Sequence, residues 1–199
     1  MGAGAIPIVL TFLLVLVGWR MVFSFNQDLI RVRAWGVLAR RSLPFVALTA
    51  AALSIPLVQG VREGWVLPAW VLVFGGALVA ANFFSMPLDE RRAGRAFRSG
   101  DYAAAANLYR KLVEERPLAR YWTFLAAALG NDGRHEEAID ASTKAVELDP
   151  EYGLAYYNRA LILRNMGRKS RAAKDLKRAL DAQMPRRFKT AARRVLEEL

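Results

Sequence analysis

Residues 119 to 186 state nearly the same pattern twice. Trp122 and Tyr156, Ala126 and Ala160, Leu129 and Leu163, Gly133 and Gly167, Ala138 and Ala172, and Ala145 and Ala179 all stand 34 positions apart. A fixed period of that length marks a helical solenoid, in which each unit covers its apolar face by stacking on the next. Within a unit, apolar residues recur three and four apart, a glycine interrupts them, and a second helical run follows, closed in the first copy by Asp149-Pro150. Each unit therefore reads as two antiparallel helices joined by a tight turn. The alanines let helix axes approach, with Trp122, Leu129 and Val146 expected to fill the space on either side. An earlier copy lies 33 residues upstream as Gly100-Asp101-Tyr102, Ala105, Tyr109, Leu112 and Pro117, with Asp89 and Arg92 where apolar residues are expected.

The pattern W-x-x-L-A at 122 to 126, followed by Gly133, Ala138, Ala145 and Pro150, resembles the tetratricopeptide repeat family. The copy after Tyr152 departs from it, because Arg159 replaces the leucine equivalent to Leu125 and Met184 stands where Pro150 stood. The resemblance covers about half of the chain. It implies an all-α solenoid with repeats at about 86–118, 119–152 and 153–186, a capping helix at 186–199, and a partner-binding scaffold with no particular chemistry. It also implies a groove lined by the first helices. Helical spacing places Arg120, Thr123, Ala127 and Asn131 there in one copy, and Tyr157, Asn158, Leu161 and Arg164 in the next. Asn158 resembles the asparagine with which many family members hold a ligand backbone or carboxylate.

The rest of the chain is of another kind. Apolar residues make up 54% of the sequence and charged residues 24%, and the two are segregated. Up to Leu88 the only charges are Arg20, Arg31, Arg33, Arg40, Arg41, Arg62, Asp28 and Glu63. Three apolar stretches, about 5–25, 42–61 and 65–86, each approach the roughly 20 residues that cross a bilayer core. A secretory signal is disfavoured for the first, since nothing basic precedes Ala5 and no small-x-small cleavage pattern follows. Residues 26–41 read as a basic loop with an interfacial Trp35, Ser42 and Pro44 as a helix start, and Pro56 as a kink. Gly76 with Ala80, and Ala47 with Ala51, form small faces on which the second and third helices are expected to pack. Arginines concentrate in the loop after the first stretch and in the segment after the third, which places the N-terminus outside and the repeats in the cytoplasm, as in a bacterial-type inner-membrane protein.

Catalytic, metal-binding and cofactor-binding arrangements are not expected. There is no cysteine, no phosphate-cradling glycine loop, and one histidine, His135, which reads as a solvated helix-start residue. From Gly153 onward 13 basic residues face 4 acidic ones. Within this basic end Arg186, Arg187, Lys189, Arg193 and Arg194 are expected to touch anionic lipid. Nucleic acid is disfavoured because Phe188 is the single aromatic between 164 and 194. The reading is a membrane-anchored scaffold for protein partners at the cytoplasmic face. The alternative is a small accessory subunit held in a larger complex through its membrane helices.

Overall fold

A computed structural model describes residues 13, 15–20, 22–24, 26–59 and 64–199. The expected first span at 5–25 and the turn at 60–63 therefore lie largely outside the described residues. The chain divides into two compact units, Met1–Pro87 and Leu88–Leu199.

In the first unit, helical residues 15–20 and 22–24 precede α1 (Gln27–Arg31), α2 (Trp35–Gln59) and α3 (Val66–Phe84). α1 ends on Arg33, whose φ of 54° is left-handed, with the Ala34 N–H donating to the Leu29 carbonyl at 2.8 Å. That closure is the one glycine usually supplies at a helix end. The expectation of a loop up to Arg41 is corrected here: α2 begins at Trp35, not Ser42, and its helical run continues through both Pro44 and Pro56. Ser42 does not cap a helix, because its hydroxyl donates back to the Ala39 carbonyl at 2.8 Å. Proline at 44 removes one N–H bond to the carbonyl four residues earlier, while Leu38, Ala39, Arg40 and Arg41 are good helix formers that hold the first turns.

α2 meets its neighbours through side-chain bonds. The Trp19 indole donates to Thr49 Oγ1 at 3.0 Å, and Gly18 lies close enough that an added Cβ would touch the Phe45 ring at 3.5 Å. The Trp70 indole donates to Ser54 Oγ at 2.8 Å and joins α3 to α2. The expected packing at Gly76 and Ala80 is absent, since both are exposed and a Cβ on Gly76 would meet nothing within 4 Å. α3 faces α2 instead with Trp70 and Phe74, one helical turn apart and 5.1 Å between ring centres. Two described helices are long and apolar enough to cross a membrane, over Trp35–Ser54 and Val66–Phe84.

The second unit holds α4 (Leu88–Arg98), α5 (Tyr102–Glu115), α6 (Ala119–Asn131), α7 (His135–Leu148), α8 (Gly153–Asn165), α9 (Lys169–Asp181) and α10 (Arg186–Glu197). Each consecutive pair is one repeat and α10 follows the third. The three first helices end alike. Gly100, Gly133 and Gly167 sit at φ of 82°, 83° and 73°, and the next residue's N–H reaches back five positions to Ala96, Leu129 and Leu163. Only glycine adopts that backbone freely, which is why the turn repeats with the period.

The period is also visible in burial. Ala126 and Ala160, Ala138 and Ala172, and Ala145 and Ala179 are all at 0% exposure, with Leu129 and Leu163 buried beside them. The column begins in the first repeat with Ala93 and Ala105, also fully buried. One expectation is corrected: Trp122 and Val146 are only half-buried, and the large side chain sealed between repeats is Tyr121. A different close contact ties the third repeat. The Gly153 N–H donates to the Gln183 carbonyl and the Gln183 N–H to the Glu151 carbonyl, each at 3.0 Å, so the start of α8 is clasped to the strand-like segment after α9. An added Cβ on Gly153 would lie 3.0 Å from the Ala179 and Gln183 carbonyl oxygens and the Met184 Cβ.

Candidate partner-binding groove

The first helices α6 and α8 carry the expected groove residues, and charges break the apolar columns on α8 and α9. In the third repeat Arg159 occupies the column of Leu125, and Asp175 occupies the column of Ala141. These two departures compensate each other. Arg159 Nε donates to Asp175 Oδ2 at 2.7 Å and Nη2 to Oδ1 at 2.9 Å, while Nη1 donates to Thr143 Oγ1 at 3.1 Å. A planar fork meeting a carboxylate on both oxygens is the strongest geometry available to such a pair. The bond to Asp175 holds the Arg159 guanidinium above its ordinary range, against desolvation. Arg159 and Arg178 each lie 5.7 Å from the Tyr156 ring centre, and Arg178 also pairs with Glu151 at 2.9 Å.

In the first repeat the covered carboxylate is Glu90, which accepts from the Tyr121 hydroxyl at 2.8 Å in a buried setting. Tyr109 is buried nearby, and burial, then the Glu90 charge, push its phenol from 10.0 up to about 12. Asp89 and Arg92, the two residues that stood out in the sequence, are instead a surface pair at 3.4 Å. Nothing in the sequence distinguished Glu90 from Asp89. Asp175, by contrast, could have been found by setting its column against Ala141.

The expected groove residues fall into three groups. Thr123 is 1% exposed, with its hydroxyl donating to the Ala119 carbonyl at 2.8 Å, and Arg120 is also buried, so these two do not present an open face. Asn158 Nδ2 crosses from α8 to the Thr123 carbonyl at 3.3 Å, which gives the Asn158 amide a partner inside the solenoid. Tyr157, Leu161 and Arg164 are engaged by α10 and the residues after it. Tyr157 stacks at 5.9 Å from Phe188, Leu161 joins the cluster around Leu176 and Val195, and Arg164 pairs with Glu198 at 3.7 Å. Asn131 is exposed, its amide donating to the Ala127 carbonyl at 2.7 Å, and Ala127 is half-buried beside it. Of the expected groove residues, Asn131 is thus the exposed one without a contact to another helix, with Ala127 half-buried one turn before it.

On α10, Arg186, Arg187, Arg193 and Arg194 are exposed, with the Arg187 guanidinium 4.7 Å from the Phe188 ring centre. Lys189 differs. Its Nζ donates to the Leu180 carbonyl at 3.1 Å, near the C-terminal end of α9, where a cation meets the negative end of the helix. His135 opens α7 half-buried, its Nδ1 covered and without a hydrogen-bond partner among the described residues, rather than solvated. Among the described residues no three His, Cys, Asp or Glu side chains are grouped to hold a metal ion.

The stack of helix pairs, each closed by the same left-handed glycine, defines a helical repeat scaffold. Within that stack, residues 91–153 and 142–174 match models of the tetratricopeptide repeat. A small glutamine-rich tetratricopeptide repeat-containing protein of Mycosarcoma maydis is 32% identical over 88 residues, 44% of this chain and 25% of that protein. A peroxisomal targeting signal receptor of Kluyveromyces lactis is 34% identical over 85 residues, 42% of this chain and 15% of that one. The chain thus spans a quarter or less of the length of these relatives. The crystal structure of the Sgt2 TPR domain from Aspergillus fumigatus superposes with a TM-score of 0.49 at 22% identity, over 57% of this chain and 82% of that one.

Proposed function

We propose that the protein is a membrane-anchored tetratricopeptide scaffold that holds a protein partner at the cytoplasmic face of the membrane. The observation that carries the anchoring is α3. It has no charged residue along its 19 positions and none of its residues is buried, with Leu72 76% and Val79 72% exposed. At 1.5 Å per residue it is about 28 Å long, close to the roughly 30 Å of a bilayer's hydrocarbon core. An apolar helix open on every side except the one that Trp70 turns to α2 needs a cover, and lipid supplies it. α2 is longer than a core requires, so its first turns, with Trp35, Arg40 and Arg41, fit the headgroup layer on the arginine-rich side. The repeats provide the partner face, and the surface of α6 around Asn131 and Ala127 is its centre.

The second reading, an accessory subunit bound through its apolar helices, is favoured by the same exposure of α3. A photoreactive residue placed at Asn131 or at Leu72 in intact cells separates the two. The scaffold reading expects protein adducts from Asn131. Adducts from Leu72 alone, with none from Asn131, would transfer the partner contact to the apolar helices.

A further inference from the structure

The basic end of the solenoid divides, in the structure, into charges with partners inside the protein and charges without. Arg159 is bound to Asp175, Arg164 to Glu198, Arg168 to Glu136 and Arg178 to Glu151. Lys169 and Lys189 donate to the Leu199 and Leu180 carbonyl groups. The four exposed arginines of α10 have no such carboxylate or carbonyl partner among the described residues, and neither do Arg171, Lys174 and Lys177 on α9, but only the α10 arginines form a face free of lysine. Their spacing is regular: Arg186 and Arg193 are seven apart, and so are Arg187 and Arg194. Seven residues make about two helical turns, so the four form two adjacent rows spanning roughly a third of the helix circumference. The opposite side of α10 carries Ala192 and Val195 into the core beside Leu176. Glu197 is the one acidic residue on the basic side.

We infer that this arginine face of α10 docks on the anionic headgroups of the membrane that anchors the chain. The inference rests on the membrane-anchored reading and deepens it. Three observations select lipid. The face is packed from behind by the core through Ala192 and Val195, and its exposed residues, the four arginines with Thr190 and Glu197, include no apolar side chain to read a peptide. It carries no exposed aromatic on which a base could stack, since Phe188 is turned to Tyr157. And only residues 85–87 separate α3 from α4, so an anchored chain keeps the solenoid as a whole tethered to a charged surface. Delocalised guanidinium groups in two rows match the spread negative charge of a headgroup layer, and Lys189, which would interrupt that geometry, is held away by its bond to α9.

The test uses the full chain, which has no cysteine, with a fluorophore on Thr190→Cys between the two arginine rows. The protein is reconstituted in phosphatidylcholine vesicles, alone or with about a third phosphatidylglycerol, each containing a headgroup spin-labelled lipid as quencher. Quenching is expected in the anionic vesicles. It should fall to the neutral-vesicle level when Arg186, Arg187, Arg193 and Arg194 are changed to Gln, and also at about 1 M salt, where the screening length drops to about 3 Å. The salt arm needs no variant and so does not depend on the quadruple change folding. Equal quenching in both vesicles, or quenching unchanged by the four substitutions, overturns the inference. So does a response of the label to single-stranded RNA in neutral vesicles where anionic lipid gives none, which would make the face a nucleic-acid surface. Flotation of the chain with neutral vesicles reads the anchor separately: a chain that floats without quenching loses only this inference, and one that does not float loses the anchor and this inference with it.

Discussion

Changing Asp175 to Ala, Arg159 to Leu, or both, converts the third repeat's charged columns stepwise into those of the second repeat, where Leu125 and Ala141 stand. The pair is mostly covered, its side chains 19% and 10% exposed. Removing one partner from a fully buried pair costs about 3 to 5 kcal/mol, because the other charge stays desolvated and alone. With part of Arg159 in contact with water, about 2 to 3 kcal/mol is the better figure for either single change. The double change removes both charges together with the Thr143 bond and the Tyr156 contact, worth about 1 kcal/mol each. Against this it removes the desolvation of two ions and buries a leucine, which is neutral to stabilising by about 1 to 4 kcal/mol in comparable replacements. The double variant should therefore unfold within about 1 kcal/mol of the wild type, leaving a coupling of about 3 to 7 kcal/mol in the double-mutant cycle. Thermal unfolding of the detergent-solubilised chain, followed by helical circular dichroism, reads this directly. Each single change should lower the solenoid's transition by roughly 8 to 12 °C, at about 4 °C per kcal/mol for a unit of this size. If the double variant loses as much as the two singles added together, the two side chains are not energetically coupled and the column argument fails.

Tyr109 predicts an alkaline weakness. Its phenol is neutral in the fold up to about 12 but ionises near 10.0 when unfolded, so its contribution is complete below pH 10 and is lost as the pH rises toward 12. The loss is about 2 to 3 kcal/mol, and Tyr109→Phe should remove the pH 10 to 12 slope from the unfolding midpoint. Gly153→Ala should destabilise by about 1 to 3 kcal/mol, because two of the three atoms its Cβ would meet at 3.0 Å are backbone carbonyl oxygens; an unchanged melting temperature would show that the clasp yields. Ala138→Leu or Ala172→Leu forces a side chain into a column at 0% exposure and should lower stability by about 1 to 3 kcal/mol, read by urea titration. For topology, a cysteine at Gly64 should react with an impermeant thiol reagent in intact cells and one at Leu199 should not, and the reverse pattern would place the repeats outside.

The solenoid was legible because its information is periodic. Gly133 and Gly167 predict each other, and a turn that only glycine makes easily leaves a residue-level trace. Contacts that cross the period left weaker traces. Arg159 announced itself as a departure, but its partner Asp175 sits 16 positions on and looks like any surface aspartate until its column is compared with Ala141. The groove was over-read for a related reason. Helical spacing says which way Thr123 and Tyr157 point but not what the next helix brings against them, and α8 and α10 each place a side chain there. In the first unit, Arg40 and Arg41 suggested a loop because charge was weighed above local helix propensity, and Pro44 suggested a start although its missing N–H removes only one bond.

The alanine columns bear on how the scaffold can respond to a partner. A methyl group has no rotamers to exchange, so the contacts at Ala126, Ala138, Ala145, Ala160, Ala172 and Ala179 have neither side-chain entropy to lose nor alternative packings to adopt. Adjustment on binding cannot come from reshuffled side chains at these crossings. It is confined to whole helices sliding as rigid rods or to the glycine corners opening, and both are slow, collective motions on the microsecond to millisecond scale. The stack should thus behave as a stiff ruler, selecting partners by the spacing it already has and passing a push at one end to the other with little damping.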